Sequence, residues 1–299
     1  MTRSLEPPAT IAFIGLGMMG KPMASRLAAA GFKLRVYDLS QQAMSEFVGA
    51  HPGVLATASP KAAAQGADAI VTMLPDGKIV RRAALDGPDP IADGMGAGAL
   101  LVDMSSSAPM GTAELGKALA ARGLAMIDAP VSGGVRRAID GSLAIIAGGD
   151  GGDVERAKPL LLAMGKTVFH TGAVGSGHAL KALNNYLSAS SLVTMCEALM
   201  VGEKFGLDPN VMADVFNSSS GMSNSTQVKA KPFVIPRNFA GGFAMALMAK
   251  DLRTAGDLAG QVGVDAPTLK AMVEMWTAAV ETQGPAADHT AIFRHLGGA

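Results

Sequence analysis

The stretch that most constrains this chain lies near its start. Thr10–Ile14 is a short apolar run of the kind a buried strand shows, followed at once by Gly15-Leu16-Gly17-Met18-Met19-Gly20. A helical pattern, KPMASRLAAA, ends at Gly31, and a second apolar run, Leu34–Tyr37, closes on Asp38. Strand, G-x-G-x-x-G, helix, strand and acid in this order leave few solutions. Gly15 permits a tight turn, Gly17 lets a pyrophosphate come up against the backbone, and Gly20 lets the helix pack on the strand. The helix N-terminus adds unpaired amide donors and the positive end of a dipole. The pattern predicts a dinucleotide-binding βαβ unit. A carboxylate at Asp38 suits both ribose hydroxyls of NAD and repels a 2′-phosphate. No Arg or Lys stands among Leu39, Ser40, Gln41 and Gln42 to hold such a phosphate, and Arg35 sits back within the strand. NAD is therefore expected over NADP.

The α/β alternation continues. Ala69–Leu74, Leu100–Met104 and Leu124–Asp128 read as strands with helical patterns between them, and Leu143–Ala147 and Thr167–His170 add two more. Ligands of open α/β sheets bind beyond the carboxyl ends of the strands. Met73-Leu74-Pro75, Ser105 to Ser107, and Ser132-Gly133-Gly134 all fall at such ends. Ser132-Gly133-Gly134 exposes backbone amides beside a hydroxyl, a neutral nest suited to a carboxylate. Arg136 and Arg137, just beyond, read as a solvated turn. After His170 helices replace strands. The expected class is α/β: a loose arm over residues 1–9, a Rossmann-like domain over 10–173, and an all-α domain for substrate and oligomerisation over 174–299.

The junction carries the densest chemistry. Gly172, Gly175 and Gly177 mark an irregular turn, and a helix without Gly or Pro then runs to Gly202. Lys181, Asn184 and Asn185 are spaced i, i+3 and i+4, which sets one ammonium and two amides on one helix face. A cation beside amides can hold a small oxygen-rich substrate and move a proton. A solvated helix face is the plainer alternative.

Composition removes other classes. The 25 basic and 25 acidic residues give no field to attract nucleic acid or an anionic membrane, and 4% aromatics leave little for base stacking. A hydrophobic content of 49% is compatible with subunit burial. No apolar run is long enough to span a bilayer and no signal peptide is visible, so a soluble cytoplasmic protein is expected. The single cysteine, Cys196, lies in an apolar helical pattern and reads as a buried hydrophobe. The five histidines, His51, His170, His178, His289 and His295, show no ligand spacing, and no metal site is expected. His178 reads as a helix-start residue, with proton relay the alternative. His289 is a weaker candidate for the cleft.

Four segments in order, GLGMMGKPMASRL, DAPVSGGVRRAIDGSL, GAVGSGHALKALNN and KDLRTA, resemble the β-hydroxyacid dehydrogenase family over almost the whole chain. The resemblance implies a Rossmann-like domain, an all-α domain, an active site between them, and dimers or tetramers. It implies Lys181 as the catalytic lysine, Asn185 as the amide that positions substrate, and Ser132, Gly133 and Gly134 as the carboxylate-binding segment. It also implies cofactor contacts at Met73, Leu74, Pro75, Ser105, Phe243 and Lys250. The expected activity is NAD(P)-dependent interconversion of a small β-hydroxy acid and its semialdehyde or keto form. Lys181 would be general base in oxidation and general acid in reduction. A free lysine, near pKa 10.4, is a poor base at neutral pH, so burial or nearby positive charge would have to lower it toward roughly 7 to 8. The loop from Gly221 lacks a Trp that 3-hydroxyisobutyrate dehydrogenases often carry, which leaves the particular acid open. Asn224, Ser225 and Thr226 suggest a pocket with more polar contacts. Alternatives are an imine reductase on the same fold, in which the lysine is usually replaced, and a non-catalytic NAD-binding interaction protein.

Overall fold

The structure, a computed structural model, describes residues 3–298. The chain divides into two compact units, Met1–Lys181 and Ala182–Ala299, a later division than the expected one near residue 173.

Among the described residues the first unit is built on nine strands: β1 (Thr10–Ile14), β2 (Lys33–Tyr37), β3 (Leu55–Ala56), β4 (Ala69–Thr72), β5 (Leu100–Asp103), β6 (Ala125–Asp128), β7 (Val131–Ser132), β8 (Leu143–Ala147) and β9 (Gly165–His170). Six of them form one parallel sheet in the order β3-β2-β1-β4-β5-β6. The central strands are apolar throughout because both faces are covered. Ile11 and Phe13 of β1 join one core while Ala12 and Ile14 join the other. In β5, Leu100 and Val102 face the first core and Leu101 the second. The strand order reverses between β1 and β4, so the ends of these strands flank the crevice where such sheets receive ligands.

A second sheet pairs β7 with β8 antiparallel and β8 with β9 parallel. Strand β7 was not expected. Two residues are too few to show a period, and the pairing partner lies beyond the intervening helix Gly134–Asp140.

The expected loose arm is corrected over its described part. Leu5 is buried in the first core, its N–H donates to the Arg156 carbonyl at 3.0 Å, and Arg156 Nε donates to the Arg3 carbonyl at 2.9 Å. One apolar side chain in a polar run suffices to dock the segment. Residues 1 and 2 lie outside the described residues.

The second unit is helical. Its long element, Ser176–Phe205, begins in the first unit, and Pro209–Asn217, Met245–Gln261 and Pro267–Gln283 follow. Their apolar faces enclose one core around Trp276, Phe293, Leu252 and Leu199. Cys196 is buried in that core, where burial pushes its thiol up to about 12, so it is a packing residue and no nucleophile. Among the described residues no helix is long and apolar enough to cross a membrane.

Candidate active site

The glycine loop after β1 has the shape its sequence predicts. Gly15 adopts φ 102°, and a Cβ there would collide with the Met73 carbonyl oxygen. A Cβ on Gly20 would collide with the carbonyl oxygen of Gly15, whereas one on Gly17 would meet nothing within 4 Å. Two glycines are thus required by close packing, while Gly17 borders open space over the loop. The helix that follows, Gly20–Ala29, has no side-chain cap and no acidic residue in its first turn. Of its first amides, the Lys21 N–H donates to the Gly17 carbonyl at 3.0 Å, and Pro22 has no N–H. Met18 is exposed and Leu16 is buried. Asp38 stands beside the loop: Oδ2 accepts the Leu16 N–H at 2.7 Å and Oδ1 accepts the Ser40 N–H at 2.8 Å. Each oxygen keeps a lone pair for a ribose hydroxyl. Open space over the loop and a carboxylate at the end of β2 together fit a dinucleotide.

Met73, Leu74 and Pro75 leave β4 beside this loop, with the Met73 N–H on the Ile14 carbonyl at 2.9 Å. Ser105 is buried, and its hydroxyl accepts the Leu74 N–H at 2.9 Å. Its side chain therefore shapes the Met73–Pro75 loop.

Lys181 is half-buried, and its Nζ donates to the Val131 carbonyl at 3.0 Å. That bond brings the amine to the residue preceding Ser132. Gly133 and Gly134 follow at φ 136° and 68°, conformations that favour glycine. Arg136 and Arg137 are exposed, and the stem of Arg137 lies against Gly133.

What positions Lys181 was missed in the sequence. Asp128, fully buried at the end of β6, accepts the Gly175 N–H at 2.6 Å and the His178 N–H at 2.8 Å. It caps the helix that carries Lys181 from a strand 47 and 50 residues away in sequence. A Cβ on Gly177 would lie 2.9 Å from Asp128 Oδ2, so glycine is needed for the approach. The His178 ring completes the cluster. Its Nε2 sits 3.0 Å from the Ser105 carbonyl, which only accepts, so Nε2 carries hydrogen. Its Nδ1 lies 2.9 Å from Thr112 Oγ1 and 3.5 Å from Asp128 Oδ2. Asp103 accepts from Thr72 Oγ1, the Ser105 N–H and Ser107 Oγ. Burial pushes the Asp128 carboxyl above its ordinary range, against the pull of His178 and the two amides. The available signal was Asp128 ahead of the Ser132 nest, and no spacing rule links it to His178.

In the second unit, Asn185 Nδ2 donates to Asp251 Oδ2 at 2.5 Å, and Asn184 Nδ2 donates to Asn185 Oδ1 at 3.3 Å. A carboxylate accepts only, so the bond fixes which way the Asn185 amide points and leaves its second N–H for a ligand. Asp251 is 4% exposed and neighbours Lys250, which is half-buried. Phe243 meets His289 edge-on with centroids 5.8 Å apart, so the weakly suspected His289 is a buried neighbour of an expected site residue. Ser225 and Thr226 are buried with hydroxyls engaged by Ser191 and Ser223, while Asn224 is exposed. The polar contacts expected of Ser225 and Thr226 are therefore internal ones. Among the described residues no group of three or more His, Cys, Asp or Glu side chains is placed to hold a metal ion.

Residues 10–172 match the family described as the NAD binding domain of 6-phosphogluconate dehydrogenase. Residues 175–296 match the family described as NAD-binding of NADP-dependent 3-hydroxyisobutyrate dehydrogenase. The chain is 37% identical over 263 residues to the 2-(hydroxymethyl)glutarate dehydrogenase of Eubacterium barkeri, covering 88% of this chain and 86% of that one. It is 41% identical over 255 residues to the NAD-dependent L-serine dehydrogenase of Pseudomonas aeruginosa, covering 83% and 85%. Among solved structures, the Mycobacterium tuberculosis 3-hydroxyisobutyrate dehydrogenase with L-serine superposes with a TM-score of 0.89 at 33% identity, covering 96% of this chain and 99% of that one.

Proposed function

The chain belongs to the β-hydroxyacid dehydrogenase family, NAD(P)-dependent oxidoreductases acting on CH–OH groups, and from that premise we propose how its residues divide the reaction. The observation that carries the reading is the bond from Lys181 Nζ to the Val131 carbonyl, which sets the amine beside Ser132. Ser132 and the amides of Gly133 and Gly134 receive the carboxylate of a small hydroxy acid. Asn185, held by Asp251, presents its remaining N–H to the substrate oxygen. Lys181 removes the hydroxyl proton in oxidation and returns it in reduction. Asp128 and His178 position Lys181 by fixing the first turn of its helix. When bound, the dinucleotide supplies the hydride acceptor or donor. Gly15 to Gly20, Asp38 and the loop Met73 to Pro75 hold it, with Ser105 behind that loop and Phe243 and Lys250 near the nicotinamide.

NAD is the proposed cofactor, supported by the Asp38 carboxylate and the lack of a cation from Leu39 to Gln42. A homodimer or homotetramer is proposed as well: Leu187, Val201 and Phe205 are 68%, 71% and 83% exposed along one helix. An imine reductase is not favoured, because the two curated relatives named above are dehydrogenases and Lys181 is present.

The test is NAD reduction by purified protein across a panel of short β-hydroxy acids, followed by Lys181→Ala. The variant is expected to lose turnover and keep its affinity for the dinucleotide. Retention of most of the turnover would overturn the role given to Lys181.

A further inference from the structure

Lys229 is 8% exposed, and lysines this buried are almost always paired. Among the described residues no carboxylate lies within ion-pair distance of it. Its Nζ has three donors, and the hydrogen bond it makes is to Ser188 Oγ at 3.2 Å. Asp288 is the carboxylate whose field reaches it, but that carboxylate is taken: it accepts the N–H groups of Gly242 at 2.6 Å, Phe243 at 3.2 Å and Thr290 at 2.9 Å, and Thr290 Oγ1 at 2.5 Å. Four donors use a carboxylate's lone-pair sites. His289, beside it, has a buried Nδ1 with no hydrogen-bond partner, 3.3 Å from Asp288 Oδ1 and off line for a bond. The segment bearing Lys229 is held firmly. Ser223 caps it in a reciprocal pair with Thr226, and Ser225 Oγ meets Ser191 Oγ at 2.9 Å. Ser188 stands three residues after Asn185, on the same face of the helix.

We infer that Lys229 is a specificity-determining residue: its amine, seated on Ser188 one turn beyond Asn185, receives a second anionic oxyacid group at the far end of the hydroxy acid. This rests on the role proposed above for Asn185. The preferred substrate class is then a β-hydroxy acid with a second anionic group, received by Lys229. Burial lowers Lys229 to about 8 and pushes His289 below its ordinary range, in both cases against the opposing pull of Asp288. The titratable groups facing Lys229 are Asp288 and His289 from the turn before the last helix and Cys196 from the long helix.

The experiment uses the full chain with NAD and two probes, 3-hydroxyisobutyrate and 2-(hydroxymethyl)glutarate. The wild type should favour the dicarboxylic acid in kcat/KM. Lys229→Met should lower the ratio of kcat/KM between the two acids by at least about tenfold, through KM, the scale set by unpairing a buried charge contact. The wild-type KM for the dicarboxylic acid should rise above about pH 8, where Lys229 loses its proton, and that rise should vanish in the variant. Should Lys229→Met fail to fold, Lys229→Gln carries the same readouts. A wild type that favours the monocarboxylic acid, or a variant that leaves the ratio unchanged or lowers both acids equally, overturns the inference while the dehydrogenase reading stands. Silence with both acids sinks the two together.

Discussion

Two buried polar clusters, one in each unit, differ in how completely they are satisfied. Around His178, both ring nitrogens, both Asp128 oxygens and both Asp103 oxygens have partners. Around Lys229, an ammonium rests on one hydroxyl, and an imidazole nitrogen 3.3 Å from a carboxylate has no hydrogen bond. Buried polar groups left unmet cost free energy, so a fold tolerates them where something else gains. The first cluster has the form of a structural joint. The second has the form of a receiving site.

The contrast breaks most easily at Asp128. Asp128→Ala strands two amides and removes the carboxylate beside a buried imidazole, and it should cost about 4 kcal/mol by urea denaturation. A loss under about 1 kcal/mol would mean that the joint is no joint. The opposite behaviour is expected at Lys229. Its pKa falls from 10.5 unfolded to about 8 folded, so the unfolded chain binds more protons between those values and stability rises with pH there. The cost is full below about pH 8 and relieved by about 3 kcal/mol toward pH 10.5, read as the gap between wild type and Lys229→Met. A gap that stays flat with pH would say that the amine is already paired. Thr112→Val removes the partner of His178 Nδ1 and should cost about 1.5 kcal/mol in the same denaturation assay. The smallest change in stability is expected at Gly17, where a Cβ meets open space. Gly17→Ala should move stability by less than about 0.5 kcal/mol yet weaken dinucleotide binding measured by titration calorimetry. Unchanged affinity would detach the loop from the cofactor.

Legibility in the sequence followed the range of the interactions. The glycine loop was readable because its sequence pattern is local: a Cβ on Gly20 would meet the Gly15 carbonyl and Gly17 leaves room, within six residues, although Gly15 itself answers to the Met73 carbonyl after β4. The strands of the parallel sheet were readable because burial on both faces makes them apolar runs. Strand β7 and the docked Leu5 were not, since a two-residue strand and a single apolar side chain carry no period. Lys181 and Asn185 were visible from helical spacing. Asp128, which caps their helix, and Asp251, which holds Asn185, act across gaps of 47 and 66 residues that no pattern encodes. Lys229 was not singled out in the sequence, and its partner Ser188 lies 41 residues earlier.

The helix from Ser176 to Phe205 has one more consequence. From Asn185 to Ser188, and again to Ser191, each step of three residues advances about 4.5 Å along the axis. The helix is a graduated rod, with the chemistry written at one mark and the length of the guest read at the next. Changes at Ser188 or Ser191 could retune which acid is accepted without disturbing Asn185. New specificities would then be reachable by single substitutions, each on an already working catalyst.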